Sequence, residues 1–293
     1  MKRLLSFLTL LAVSLPFALH AAPIAFSRNA TVCVAEPDGS KVRKVTRGVY
    51  PDISADGKTI VFNTDDPKTT DRKVALVDVA SGKVTTVPNI PSDNCYGPAL
   101  SPDERRVAFH LFDGTSWHIA VIDVDGKNYR QVKVKDPQAE EVWTPVWAAD
   151  GKSLFCHDFT HIYRVTLDGR VLQKWPVTLF GKDASFSSGN SLALSPDGRT
   201  LLVEADRADD IAVKGWAGPP PALWTLDLSS SRATQVSPAS LLAWDACWLD
   251  AGTVLAVGAS VAKPDPALYR ISLADQSIKR LLNDAVSPSA ARQ

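Results

Sequence analysis

Methionine is nearly missing from this 293-residue chain; the single one is Met1. That excludes a groove of flexible thioethers of the kind promiscuous peptide binders use. Net charge is missing as well, with 32 Lys and Arg against 32 Asp and Glu. A nucleic-acid partner requires a basic excess to offset phosphate, so none is expected. No long apolar run occurs after Leu19, which leaves no candidate membrane span in the rest of the chain. Catalytic signatures are absent too: there is no G-x-S-x-G elbow, no H-E-x-x-H, no P-loop and no dinucleotide-binding glycine motif. No catalytic residue and no cofactor are expected.

What is present begins with a targeting segment. Lys2 and Arg3 precede a largely apolar run, Leu4 to Leu19, too short to span a bilayer and followed by small residues. Residues 1–21 read as an export signal cleaved after Ala21, leaving 22–293 as the mature domain with 30 basic against 32 acidic residues. No cysteine stands at the cleavage point to carry a lipid. A soluble, exported monomer is expected, periplasmic if the source is a Gram-negative bacterium. A hydrophobic content of 45% suffices for a packed core.

The remainder is one repeat. Asp56, Asp103, Asp150 and Asp197 each lie 47 residues from the next, within Ser54–Gly57, Ser101–Glu104, Ala148–Gly151 and Ser195–Gly198, and a looser copy surrounds Asp250. Short apolar runs follow each turn: Thr59–Phe62, Arg106–Phe109, Ser153–Cys156, Thr200–Val203 and Thr253–Ala256. A second set is Val74–Asp78, Ile119–Asp123, Ile162–Thr166, Leu223–Asp227 and Leu268–Ser272, and a third follows it. With the run before each Asp turn, four short strands recur per repeat and no helical period intervenes, which predicts propeller blades. Residues 24–48 supply the last three strands of one more blade. The expected fold is all-β, a single six-bladed β-propeller of four-stranded blades, with the missing strand supplied by the tail Asp284–Gln293 so that no bare sheet edge remains.

Pro98-Ala99-Leu100-Ser101-Pro102-Asp103, with Val107-Ala108-Phe109 and Ile122-Asp123-Val124-Asp125-Gly126, resembles the TolB-type propeller repeat. The resemblance covers about residues 24–282 and implies the fold. In that family an α/β domain precedes the propeller; here only the leader-like segment does.

Side chains with metal chemistry are sparse. His110 and His157 occupy equivalent positions in adjacent blades, and His157 and His161 flank one loop, with Asp158 or Glu204 near enough in the pattern to complete a ligand set. Oligogalacturonate lyases, also repeat propellers, are similar in binding a metal through histidines. The spacing is not that of a tight ligand set, and no metal is expected. Cys156 falls where Phe62 and Phe109 stand, and Cys33 falls where Ala75, Ala120, Tyr163 and Tyr269 stand. Cys95 and Cys247 fall on inner strands of opposite blades, beyond the ~7 Å a disulfide spans. Mostly unbridged, buried thiols are expected.

Aromatic residues carry the functional reading. Val49, Tyr96, Trp143 and Asn190 stand seven residues before the anchor aspartates, and Trp244 takes this place in the last blade, with Tyr50 one residue off. These positions mark one mouth of the central channel. The variable loops between second and third strands open on the same face, the longest being Ala205–Pro221 with Trp216. Tyr50, Tyr96, Trp143, Trp216 and Trp244 are therefore candidate partner-binding residues of a non-catalytic exported module for a protein or peptide, itself another exported or envelope protein. The alternative is a metal-assisted, lyase-like carbohydrate enzyme or a sugar sensor on the same propeller.

Overall fold

The computed structural model describes residues 22–69, 71–139, 141–206, 216, 219–262 and 265–291. Residues 1–21, where the export signal is expected, and most of the long loop, residues 207–215, 217 and 218, lie outside the described residues.

The chain begins with β1 (Ile24–Arg28), β2 (Thr31–Ala35) and β3 (Arg43–Arg47). Blade 2 is β4 (Val49–Ile53), β5 (Thr59–Asn63), β6 (Val74–Asp78) and β7 (Val84–Thr86). Blade 3 is β8 (Cys95–Leu100), β9 (Arg106–Phe112), β10 (Trp117–Asp123) and β11 (Arg130–Val132). Blade 4 is β12 (Trp143–Trp147), β13 (Ser153–His157), β14 (His161–Thr166) and β15 (Val171–Pro176), followed by a 3-10 turn at Val177–Phe180. Blade 5 is β16 (Leu192–Leu194), β17 (Thr200–Asp206), β18 (Pro221–Asp227) and β19 (Ala233–Gln235). Blade 6 is β20 (Leu241–Asp250), β21 (Thr253–Ser260), β22 (Ala267–Ser272) and β23 (Ile278–Asn283). The last strand, β24 (Val286–Ala290), returns to pair antiparallel with β1 and gives blade 1 the order β24-β1-β2-β3. The six-bladed ring and the tail that completes blade 1 are as the repeat predicts.

The anchor turns are local devices. Asp56 Oδ1 takes the Ser54 hydroxyl at 2.8 Å and the Lys58 N–H at 2.9 Å, while Ser54 Oγ accepts the Thr59 N–H at 2.9 Å. Ser195 and Asp197 repeat the arrangement. Gly57, Gly151 and Gly198 take the positive φ that such a turn requires, and in blade 3 Glu104 is forced into the same region at φ 56°.

Each blade is a twisted sheet with two apolar faces, so the core lies between blades. Six clusters of buried side chains occupy the interfaces between successive blades; Val61, Val107 and Phe109 lie between blades 2 and 3, and Phe155, Phe180 and Trp224 between blades 4 and 5. Phe62, Phe109 and Cys156 are fully buried, as their equivalent repeat positions require. Cys33, Cys95 and Cys156 are unbridged and lie on blades 1, 3 and 4. Burial pushes the Cys95 thiol up to about 12. Cys247 is half-buried on β20 of blade 6. Denatured without reductant, the protein should titrate with close to four thiols; a count of two, restored to four by reductant, contradicts this arrangement.

Two expectations change. The long loop is shorter than Ala205–Pro221, because β17 continues to Asp206 and β18 begins at Pro221. Asn190 is not a mouth residue: it is buried and bonded within the polar network described below.

Candidate functional site

All six inner strands line the central channel, and the same irregularity recurs along them. Tyr50 (φ 52°), Gly97 (54°), Thr144 (54°), Asp245 (47°) and Ser287 (51°) take left-handed backbone in five of the blades. Pro51, Pro98, Pro145 and Pro288 follow four of them. At these points the pairing with the second strand slips, between Val49 and Asp52, Tyr96 and Ala99, Trp143 and Val146, and Trp244 and Ala246. Each is a β-bulge that bends the strand and re-aims the side chain before it. L-residues enter this region rarely, and such outliers concentrate where a ligand is held.

Beneath the bulges runs a belt of buried polar side chains on the second strands. Ser27, Asn63, His110 and His157 stand opposite Val286, Val49, Tyr96 and Trp143, and Glu204 takes the equivalent place in blade 5. From Asn63 to Glu204 these residues follow the 47-residue period. Most of them reach to the next blade. Ser27 Oγ accepts the Tyr50 N–H at 3.1 Å. His110 Nε2 pairs with the Val142 carbonyl at 3.2 Å, and His157 Nε2 with that of Asn190 at 3.0 Å. Glu204 Oε2 accepts the Asp245 N–H at 2.9 Å and the Ser191 hydroxyl at 2.9 Å, while Oε1 accepts from the Asn190 amide at 3.2 Å. Asp245 Oδ2 takes the Ser287 N–H at 2.7 Å and carries the sequence on to blade 1. Asn63, fully buried, makes no hydrogen bond through its amide.

These contacts settle what the spaced histidines do. His110 and His157 turn their ring nitrogens to backbone carbonyls of the following blade, and burial holds the His110 imidazole neutral, its pKa down at about 3. His161 bonds through Nδ1 to the Thr160 hydroxyl at 2.8 Å. Among the described residues no cluster of three or more His, Cys, Asp or Glu side chains could hold a metal ion.

Above the belt, a cavity of about 580 Å³ opens at the mouth and brings together Tyr50, Tyr96, Trp143 and Trp244. Trp216 is not in its lining, but its ring packs on Trp244 at 5.3 Å. The rings form a continuous wall: Tyr50 to Tyr96 at 5.9 Å, Tyr96 to Trp117 at 5.4 Å, Trp117 to Trp143 at 6.1 Å and Trp143 to Phe159 at 6.5 Å. Arg72 lies over the Tyr96 ring at 4.5 Å and donates to its hydroxyl. Trp117 and Asp245 also line this cavity and escaped the sequence reading. Trp117 opens a third strand next to a variable loop and has no aromatic counterpart 47 residues either side, so periodicity could not find it. Asp245 stands beside Trp244, where blades 3 and 4 carry Gly97 and Thr144.

The electrostatics of the mouth are set by burial. Burial first, then the Asp245 charge, raises the Glu204 carboxyl to about 7 against the N–H and hydroxyl groups that favour its ionised form. Burial likewise raises Asp245. Tyr50 is raised by its own burial and by the neighbouring Tyr96 and Asp245.

Tryptophans in this ring fall into two kinds. Trp147 and Trp248 are buried and give their indole N–H to the Ala99 and Ala193 carbonyls of the preceding blade, at 3.0 and 3.1 Å. Those two are interblade packing. Trp143 lines the open cavity, and its indole N–H has no partner although the nitrogen is buried.

No family model matches the chain. Over 106 residues, 36% of this chain, it is 26% identical to the Tol-Pal system protein TolB of Francisella tularensis subsp. tularensis. The matched stretch spans only 24% of that relative's length. Among solved structures, TolB from Acinetobacter baumannii superposes with TM-score 0.69 at 16% identity, covering 94% of this chain and 67% of that one. A putative TolB from Agrobacterium tumefaciens does so with TM-score 0.62 at 16% identity, covering 89% and 88%. At these identities the likeness establishes the fold: the chain is a six-bladed β-propeller similar in fold to these TolB structures.

Proposed function

We propose that this chain is a non-catalytic exported module that binds a protein or peptide segment at the aromatic mouth of the channel. The observation that carries the reading is the contrast between the packed, hydrogen-bonded Trp147 and Trp248 and the cavity-lining Trp143 and Trp244. Bulges place the latter pair at an open cavity, and buried aromatic anchors dominate the energetics of such surfaces. The similar curated proteins belong to the Tol-Pal system, which supports an envelope partner and a periplasmic location. No helix of the described residues is long and apolar enough to cross a membrane. The carbohydrate-enzyme alternative is not favoured, since His110 and His157 are engaged by backbone carbonyls.

The test is affinity capture from a periplasmic extract with the wild-type protein and with Trp143→Ala, Trp244→Ala and Trp216→Ala. A partner held by the wild type should be lost from the first two and weakened in the third. Each anchor removed costs ~2 kcal/mol or more of binding. Circular dichroism should show all three folded. If Trp143→Ala and Trp244→Ala unfold while residual binding persists, these rings are packing and the mouth is not the site.

A further inference from the structure

The mouth cavity continues into a second one of about 200 Å³ in the channel, and the two share Tyr50, Thr144, Ser191 and Asp245. Among the described residues their charged linings are acidic: Asp52 and Asp245 contribute carboxylates, and no described lysine or arginine lines either cavity. Asp52 is occupied within the fold, accepting the Leu100 N–H at 2.8 Å and the Ser289 hydroxyl at 2.9 Å. Asp245 faces the mouth, with Glu204 behind it. Among the described residues no ion pair reaches Asp245 or Glu204. Two neighbouring acids are withdrawn from water here, with no cation beside them among the described residues, which is costly for whichever of them is ionised. The cavity that Asp245 lines is also lined by Tyr50, Trp117, Trp143 and Trp244.

We propose that the mouth receives a basic peptide side chain, lysine or arginine, held between the aromatic wall and the carboxylate of Asp245. This rests on the reading of the mouth as a peptide or protein site and names the chemistry it selects. Aromatic faces attract a cation through their quadrupole, most strongly where water is excluded, and a carboxylate supplies the counter-charge. The wall already holds one such group, since the Arg72 guanidinium sits on Tyr96. Trp117, Trp143 and Trp244 carry no resident cation among the described residues. Burial raises the pKa of both acids, the direction expected where the compensating charge arrives with the ligand.

Isothermal titration of the purified protein tests this with four probes: N-acetyl-lysine methylamide, its arginine and norleucine counterparts, and choline. The lysine and arginine probes should bind, with the norleucine probe, which keeps the stem and lacks the charge, ~10-fold weaker or more. Choline should also bind more weakly than lysine. Asp245→Asn should weaken the lysine probe ~10-fold or more. That variant keeps the fold, because asparagine accepts left-handed backbone readily and its carbonyl still takes the Ser287 N–H. Equal binding of lysine and norleucine, or an Asp245→Asn variant that binds as the wild type does, overturns the proposal. So does choline binding as tightly as lysine, which assigns the acids to a free ammonium ligand. If the captured partner is lost from the tryptophan variants and kept by Asp245→Asn, the mouth is the site and its basic ligand is wrong. If every variant keeps the partner, the mouth itself is wrong.

Discussion

Deleting residues 284–293 should lower the thermal midpoint by ~10 °C or more, or leave a chain that does not fold. The segment removed is the inner strand of blade 1. Its loss bares one edge of β1, where Ile24, Ala25 and Phe26 are fully buried, and takes Ala285, Ala290 and Ala291 out of the two interblade clusters that flank that blade. It also removes the Ser289 hydroxyl, which joins the Ile53 N–H to Asp52, and the Ser287 N–H that donates to the Asp245 carboxyl. Re-exposing two or three large apolar side chains costs several kcal/mol at ~2 kcal/mol each. That is a large part of the ~5–15 kcal/mol by which a domain is stable, and in one this size each kcal/mol moves the midpoint ~2–4 °C. Thermal melts followed by circular dichroism decide it. An unchanged midpoint means that the pairing of β24 with β1 contributes nothing.

The second large effect is on pH. Glu204 is raised in the fold from an ordinary carboxyl value to about 7. A carboxyl whose folded pKa lies above its unfolded one binds its proton more tightly in the fold. Its contribution is therefore full below about 4.5 and is lost as pH rises through about 7. The span corresponds to something on the order of 3 kcal/mol. His110 and His157 work in the opposite sense, because burial lowers both and the unfolded chain takes up the protons that the fold refuses. The raw pH profile is thus a sum of opposing slopes, and the difference between wild type and Glu204→Gln isolates one of them. Glutamine does not titrate, and its amino group meets N–H donors where Glu204 presented oxygen. Glu204→Gln should therefore be the less stable protein at pH 5, with the gap narrowing or reversing by pH 8. A gap that is the same at both pH values would show that burial does not hold the proton on Glu204.

The ring and its contents were legible to different degrees. The 47-residue interval, the short alternating strands and the orphan fragment at residues 24–48 fixed the number of blades and the need for a returning tail, because each is a local property of sequence. Tyr96, Trp143 and Trp244 could be placed at the channel mouth by register alone, and the structure brings them to one cavity with Tyr50. Trp117 and Asp245 could not, since neither sits in a repeating slot of its own type. The bulges were written in plain sight as Tyr-Pro, Gly-Pro, Thr-Pro and Ser-Pro at equivalent positions, yet a proline in a strand predicts an interruption without telling its hand. The series Asn63, His110, His157 and Glu204 was visible as spacing. Its meaning was not, because equivalence in a closed ring sets residues side by side around a circle, where His110, His157 and Glu204 bond the backbone of the following blade.

That arrangement separates two tasks in blades 1, 3, 4 and 5. There the second strand holds the ring together, through Ser27, His110, His157 and Glu204, which grip the backbone of the following blade. The first strand shows its side chain at the mouth. Since the grip is on amide and carbonyl groups common to every residue, the identity of the mouth residue is left out of it. The series Val49, Tyr96, Trp143, Trp244 and Val286 shows how widely that identity ranges on a constant frame. A scaffold of this kind is evolvable one blade at a time: a new specificity is drafted by exchanging a single ring of side chains, while the architecture beneath inherits nothing of the change.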